Sequence, residues 1–117
     1  MTELGQVVQS LAAREGVEGA LLLSGDGLPI QHAARRELDA ETVAALAATV
    51  AQHAARLGEG AGRGDLTTAV LEFAGGLVVL ARAGACDWLA ILAGADADIG
   101  PLLFDLRQHR PALGSLL

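Results

Sequence analysis

The sequence predicts an α+β domain with the element order α-β-β-α-β-β-β-α, one five-stranded antiparallel sheet with helices on both faces. Three observations carry this prediction. Segments at the start, middle and end place apolar residues at helical spacing. The runs between them, such as Gly19 to Ser24 and Leu77 to Ala83, are short and apolar on both faces, so the sheet they form needs cover on both sides. The breaks between those runs are short and glycine-rich, as antiparallel hairpins require.

Each element has its own signal. Thr2 to Glu15 carries Leu4, Val7, Val8 and Leu11 on one helical stripe, with Thr2 as N-cap and Gly16 as stop. Gly19 to Ser24 is a buried strand. Gly25-Asp26-Gly27 turns it back into Leu28 to Ala34, where Pro29 sits near the start and its missing donor is tolerated. Asp39 caps a long helix running to about Leu57, and Gly58, Gly60, Gly62 and Gly64 end it in a loop. Three strands follow, Leu66 to Phe73, Leu77 to Ala83 and Asp87 to Ala93. The last helix begins near Asp98, carries Ile99, Leu102, Leu103 and Leu106 on one stripe, and is closed by Pro111.

The middle helix has three stripes where a surface helix needs two. At about 100° per residue, Val43, Leu46, Val50 and Leu57 share one arc. Ala44, Ala47, Ala48, Ala51, Ala54 and Ala55 share the next, and Thr42, Thr49, Gln52, His53 and Arg56 take the remainder. We expect the large stripe to pack on its own sheet. The alanine stripe is then free for a helix-helix dimer seam, where small side chains allow close approach, with Thr67 and Thr68 on a strand able to pair at an edge. The alternative is that the alanines merely favour helix and face solvent. The polar stripe faces outward, and Thr49, Gln52, His53 and Arg56 are the expected docking platform for a partner.

Composition bounds the function. A chain of 117 residues with 52% hydrophobic residues fits one domain, 1–117, able to fold without disulfide or metal. Aromatics are only 3% and Tyr is absent, so the core is built from Leu, Val, Ile and Ala. A net charge of −6 argues against a nucleic-acid partner and against an anionic membrane surface. Cys86 is the single cysteine, consistent with a reducing compartment. The N-terminus lacks the features of a signal peptide and no apolar run is long enough to span a bilayer, so the expectation is a cytoplasmic protein without membrane insertion.

No motif for catalysis or cofactor binding emerges. The loop from Gly58 to Asp65 lacks the Gly-Lys-Ser/Thr of a phosphate loop and follows a helix, and the chain has no lysine. His32, His53, His109 and Cys86 show no short metal-ligand spacing. Asp96 and Asp98 resemble the opening of a calcium loop without its remaining ligands, and fit a helix N-cap better. Cys86 beside Asp87 has no base nearby in sequence. Trp88 reads as a packing residue. Arg56 and Arg63 are the candidates for an arginine supplied in trans to a partner's phosphates, against the plainer reading as solvated surface charges. No cofactor is expected.

Several local strings, in order, resemble the Roadblock/LC7 family: Gly16-Val17-Glu18-Gly19-Ala20, Asp26-Gly27-Leu28-Pro29-Ile30, Val43-Ala44-Ala45-Leu46-Ala47-Ala48, and Ala95-Asp96-Ala97-Asp98-Ile99-Gly100 leading into Leu102-Leu103-Phe104-Asp105-Leu106-Arg107. The resemblance implies a profilin-like Roadblock architecture. It also implies a homodimer or heterodimer in which the long helices pair and the third strands join two sheets into one. It implies a non-enzymatic regulator or adaptor of a small Ras-like GTPase, some bacterial members of the family activating hydrolysis. A pure scaffold subunit and a small-molecule sensor domain are the competing functions. A sensor needs a pocket with convergent polar groups, and the strands offer few beyond Glu72 and Arg82.

Overall fold

Leu21, Leu22 and Leu23 stand side by side in sequence, yet they enter two different cores, because successive strand residues point to opposite faces of a sheet. The computed structural model describes residues 3–117. Its elements are α1 (Glu3–Ala12), β1 (Val17–Leu23), β2 (Pro29–Ala34), α2 (Ala40–Gly60), β3 (Thr68–Phe73), β4 (Gly76–Ala83), β5 (Asp87–Ala93) and α3 (Ile99–Leu116). The fold is α+β, with an antiparallel sheet ordered β2-β1-β5-β4-β3. Strands β1 and β5 join the first hairpin to the three-stranded meander, with Leu21 opposite Ala90 and Leu23 opposite Trp88. The sheet edges are β2 and β3.

Helices α1 and α3 cover one face. There Val8, Leu11, Leu22, Val79, Ile91, Leu102 and Leu106 form a closed apolar cluster, and an Arg14–Asp105 ion pair ties the turn after α1 to α3 at its rim. Helix α2 covers the other face, over Leu21, Leu23, Leu80, Trp88 and Ala90. Trp88 is buried, with the Arg82 guanidinium 4.6 Å from its ring centroid. Arg82 also donates to the carbonyls of Leu66 and Ala85, so it fastens the start of β3 to the β4–β5 turn.

The element order is the expected one; the boundaries differ at three helix ends. Thr2, expected to cap α1, lies outside the described residues. Helix α1 stops at Ala12 instead of Glu15, and Gly16 then adopts a φ of +84°. Helix α2 runs through Gly58 to Gly60 because the glycine that ends it is Gly62, at φ +69°. Arg63 N donates to the Gly58 carbonyl and Gly62 N to that of Glu59, the paired bonds of a Schellman cap. Helix α3 does not end at Pro111 but continues to Leu116. Arg107 and Pro111 are both exposed, so the carbonyl that loses its donor is open to water. The expected caps at Asp39 and Asp98 do form, accepting from Thr42 N at 3.2 Å and Gly100 N at 3.3 Å. Hydrogen bonding from Thr42 holds the Asp39 carboxyl below its ordinary range.

The β1–β2 turn explains how closely α2 approaches. Gly27 has φ +89°, and a Cβ there would lie 3.2 Å from Ala45 Cα and 3.4 Å from Ala48 Cβ. Only a residue without a side chain fits between hairpin and helix. Gly27→Ala is therefore expected to lower stability by about 1–2 kcal/mol, through strain at positive φ and a pushed-out helix; thermal unfolding followed by circular dichroism measures it.

Candidate partner-binding site

Exposed large apolar side chains line the outer surface of α2 and continue onto the edge strand β3, while Leu28 and Ile30 of the first hairpin and Phe104 of α3 are exposed elsewhere. On α2 the stripes are those the sequence predicts, but their directions are reversed. Ala44, Ala47, Ala48 and Ala51 are buried against the chain's own sheet. They do not form an outward seam, which corrects the expected assignment. The reason is geometric: with Gly27 and small residues between them, helix and sheet approach too closely for Leu at those positions. Ala54 and Ala55 lie at the flank, half-buried.

The large stripe is consequently on the outside. Leu46 is 62% exposed, Val50 37% and Leu57 73%. With His53 these residues fall at i, i+4, i+7 and i+11, the spacing of a helix-helix seam. Sequence reasoning found this stripe but turned it toward the sheet, and left His53 out of it. The signal available was that heptad-like spacing continuing through His53.

Both flanks of the stripe are identifiable. On one side, Val43 packs against the same core as Leu66, Ala69 and Val78, toward β3 and β4. Strand β3 alternates there, so Ala69, Leu71 and Phe73 share the α2 face. Phe73, at the far end, is 57% exposed. Thr68 begins this strand and accepts a hydrogen bond from Arg110 at 3.3 Å. Thr67 lies just before β3, where its carbonyl accepts from Arg82 N. On the other side lies the polar stripe. Thr49, Gln52, His53 and Arg56 are all exposed. Thr49 turns its hydroxyl back to the Ala45 carbonyl at 3.0 Å, and Gln52 reaches the Gly25 carbonyl of the hairpin at 3.5 Å. The polar stripe thus adjoins the β1–β2 turn and its exposed Leu28.

Chemical groups elsewhere are dispersed. Among the described residues no three of His, Cys, Asp and Glu come together as metal ligands. Cys86 is exposed in the β4–β5 turn. Arg63 is exposed in the loop after α2. A concavity of about 750 Å³ between the α1–β1 and β5–α3 turns is open and lined by Glu15, Glu18, Asp96 and Asp98 with Arg14. It lacks the enclosed apolar wall that a small-molecule sensor needs. No helix of the described residues is long and apolar enough to cross a membrane.

The Roadblock/LC7 domain model matches residues 3–93, covering α1 through β5. The chain belongs to the Roadblock/LC7 family. Domains of this family are generally regulatory or adaptor modules. A Roadblock/LC7 domain from Streptomyces avermitilis is 29% identical, with a TM-score of 0.83 over 96% of this chain and 98% of that one. Two further structures share the fold at lower identity. MglB of Myxococcus xanthus has a TM-score of 0.91 at 16% identity over 99% of this chain and 95% of that one. The gliding protein MglB of Thermus thermophilus has 0.84 at 19% identity over 94% and 84%. No curated protein matches the sequence. The Roadblock match reaches the whole candidate site, since α2 and β3 both lie inside it.

Proposed function

We propose that this Roadblock/LC7 domain is a homodimeric, non-enzymatic adaptor that regulates a small Ras-like GTPase in the cytoplasm. The observation that carries the reading is the adjacency of two unpartnered features, the exposed Leu46–Val50–Leu57 stripe of α2 and the unpaired edge of β3. A two-fold axis beside that edge pairs both at once: β3 meets β3 antiparallel and α2 packs on α2. Single exposed leucines are ordinary on a protein surface; an aligned stripe beside an open sheet edge is not. Thr67 and Thr68 then lie at the joined strands, and Ala54 and Ala55 flank the helix pair.

In such a dimer the polar stripes appear twice on one face of the assembly. Thr49, Gln52 and Arg56, with His53 at the border of the apolar stripe, form the platform to which the GTPase docks. Family membership and the MglB likeness support this choice of partner. The test is co-purification with a candidate small GTPase, followed by a hydrolysis assay. Arg56→Glu combined with Gln52→Ala is expected to weaken binding about tenfold or more, with the dimer intact and stability shifted by under about 0.5 kcal/mol, as for other surface changes. Unchanged binding by the double variant would move the docking face elsewhere. Binding with unaltered hydrolysis would reduce the role to scaffolding.

A further inference from the structure

We propose that the free edge of β2 binds an extended, uncharged peptide segment of another protein as an added strand, with one apolar side chain of that segment seated in a hollow at the end of β2. The edge plays no part in the proposed dimer, which uses β3 at the opposite side of the sheet, so the two readings stand or fall separately. The hydrogen-bond phase of β2 fixes what its edge offers. Arg35 N donates to the Glu18 carbonyl at 2.9 Å, one step beyond the Gly19–Ala34 pair. Bonded pairs alternate along an antiparallel ladder, so Ala33 bonds to Ala20 and Gln31 to Leu22. His32 and Ala34 fall between these pairs. Their N–H and C=O groups therefore point away from β1, two donors and two acceptors on the open side of the strand.

The start of β2 is guarded and its end is not. Pro29 lacks a donor, and the register shifts between Leu22 and Leu23, both devices that discourage a further strand. From Gln31 to Ala34 there is no proline, and the ladder is regular. His32 and Ala34 are exposed and pair with Leu21 and Gly19, so their side chains lie on the α2 side of the sheet. There a hollow of about 190 Å³ is lined by Gly19, Ala34, Leu38 and Leu92, and bordered by the exposed Glu18, Arg36 and Glu37. A residue of an added strand opposite Ala34 sends its side chain to the same face. The bare Gly19 and the single methyl of Ala34 leave room for it to lie over them, against Leu38 and Leu92.

The surroundings select the occupant. Between Gly27 and Ala34 there is no acidic residue, lysine or arginine, and the charges bordering the hollow are of both signs, so the complementary segment is one without net charge. A second folded copy suits the edge poorly. Beside β3 lies the apolar stripe of α2, but beside β2 lies the polar stripe, where Gln52 donates to the Gly25 carbonyl. Copies meeting at β2 would gain little beyond two strands of six residues each, about 20 Å long, short of the roughly 1,000 Å² that a stable interface clears. A flexible segment needs only the strand: main-chain hydrogen bonds supply its affinity and the hollow its selectivity.

Titrating the isotope-labelled full chain with an end-blocked peptide of alternating threonine and valine around a central leucine, followed by amide NMR, tests this. The expected result is saturable shifts at His32, Ala34, Leu38 and Leu92. Replacing the peptide's leucine by glycine should weaken binding about tenfold or more. His32→Pro removes an outward donor that the fold does not use, and should weaken binding about five- to tenfold. Unshifted amides of Val79 and Ile91 show that this variant is folded; if it is not, the wild-type shift map decides alone. Shifts confined to α2 or β3, no saturation at millimolar peptide, or full affinity in folded His32→Pro each overturn the inference. Shifts of the same edge amides on raising protein concentration without peptide make the occupant a second copy and overturn it as well. None of these results bears on the GTPase platform, which Arg56→Glu with Gln52→Ala tests independently.

Discussion

Ala51→Glu is expected to unfold the protomer, not to release intact monomers. Ala51 is fully buried, and its methyl group faces the sheet with Ala44, Ala47 and Ala48. Glutamate at that position brings a carboxylate into a space closed by Leu21, Leu80 and Ala90, and it is also too large for the gap. Overpacking and an unpaired buried charge add together, for a loss of about 3 kcal/mol or more. Urea denaturation monitored by circular dichroism measures it. A soluble variant with near wild-type unfolding would show that the alanines do not face inward.

The opposite behaviour is expected one face away. Leu46→Glu combined with Leu57→Glu should leave a folded monomer. Neither side chain contributes to the cores of the chain, so the protomer keeps its packing. In the proposed dimer four leucines leave the seam, each worth about 1.5 kcal/mol or more when fully buried, and four carboxylates enter it. Allowing for partial burial, about 4 kcal/mol of association is lost, roughly a thousandfold in the dissociation constant. Light scattering at concentrations where the wild type is dimeric checks the size, and the far-ultraviolet spectrum checks the fold. A double variant that remains dimeric would place the interface elsewhere. The two experiments together distinguish the two faces of α2, since the same change to glutamate has a different consequence on each.

How much was legible in the sequence differs between fold and site. Glycine turns and apolar periodicity are local signals, and they located every element; β5 matches its expected bounds of Asp87 to Ala93. Ends that depend on particular hydrogen bonds were less visible. Four glycines follow Leu57 at alternate positions, and nothing in their order says that Gly62 takes the positive φ while Gly58 stays helical. Pro111 breaks a helix by rule, yet an exposed carbonyl tolerates the lost bond. The stripes of α2 were also legible, but not their directions. Periodicity separates faces without saying which one meets the sheet. Reading Leu and Val as inward is sound for a single chain, and it fails where a close approach admits only methyl groups. The clue was Gly27, whose lack of a side chain matters only because α2 lies on top of it.

The β1–β5 ladder has a consequence for synthesis. These two strands are nearly fully buried and lie at the centre of the sheet, but about seventy residues separate Leu23 from Ala93. At ribosomal rates of about 5–20 residues per second, the first hairpin waits roughly 4–14 seconds for its central neighbour. Throughout that interval Leu21, Leu22 and Leu23 present an open, apolar strand edge, the kind that recruits other chains. Whatever shields the nascent hairpin during those seconds has as much to do with the yield of folded protein as any contact in the finished sheet.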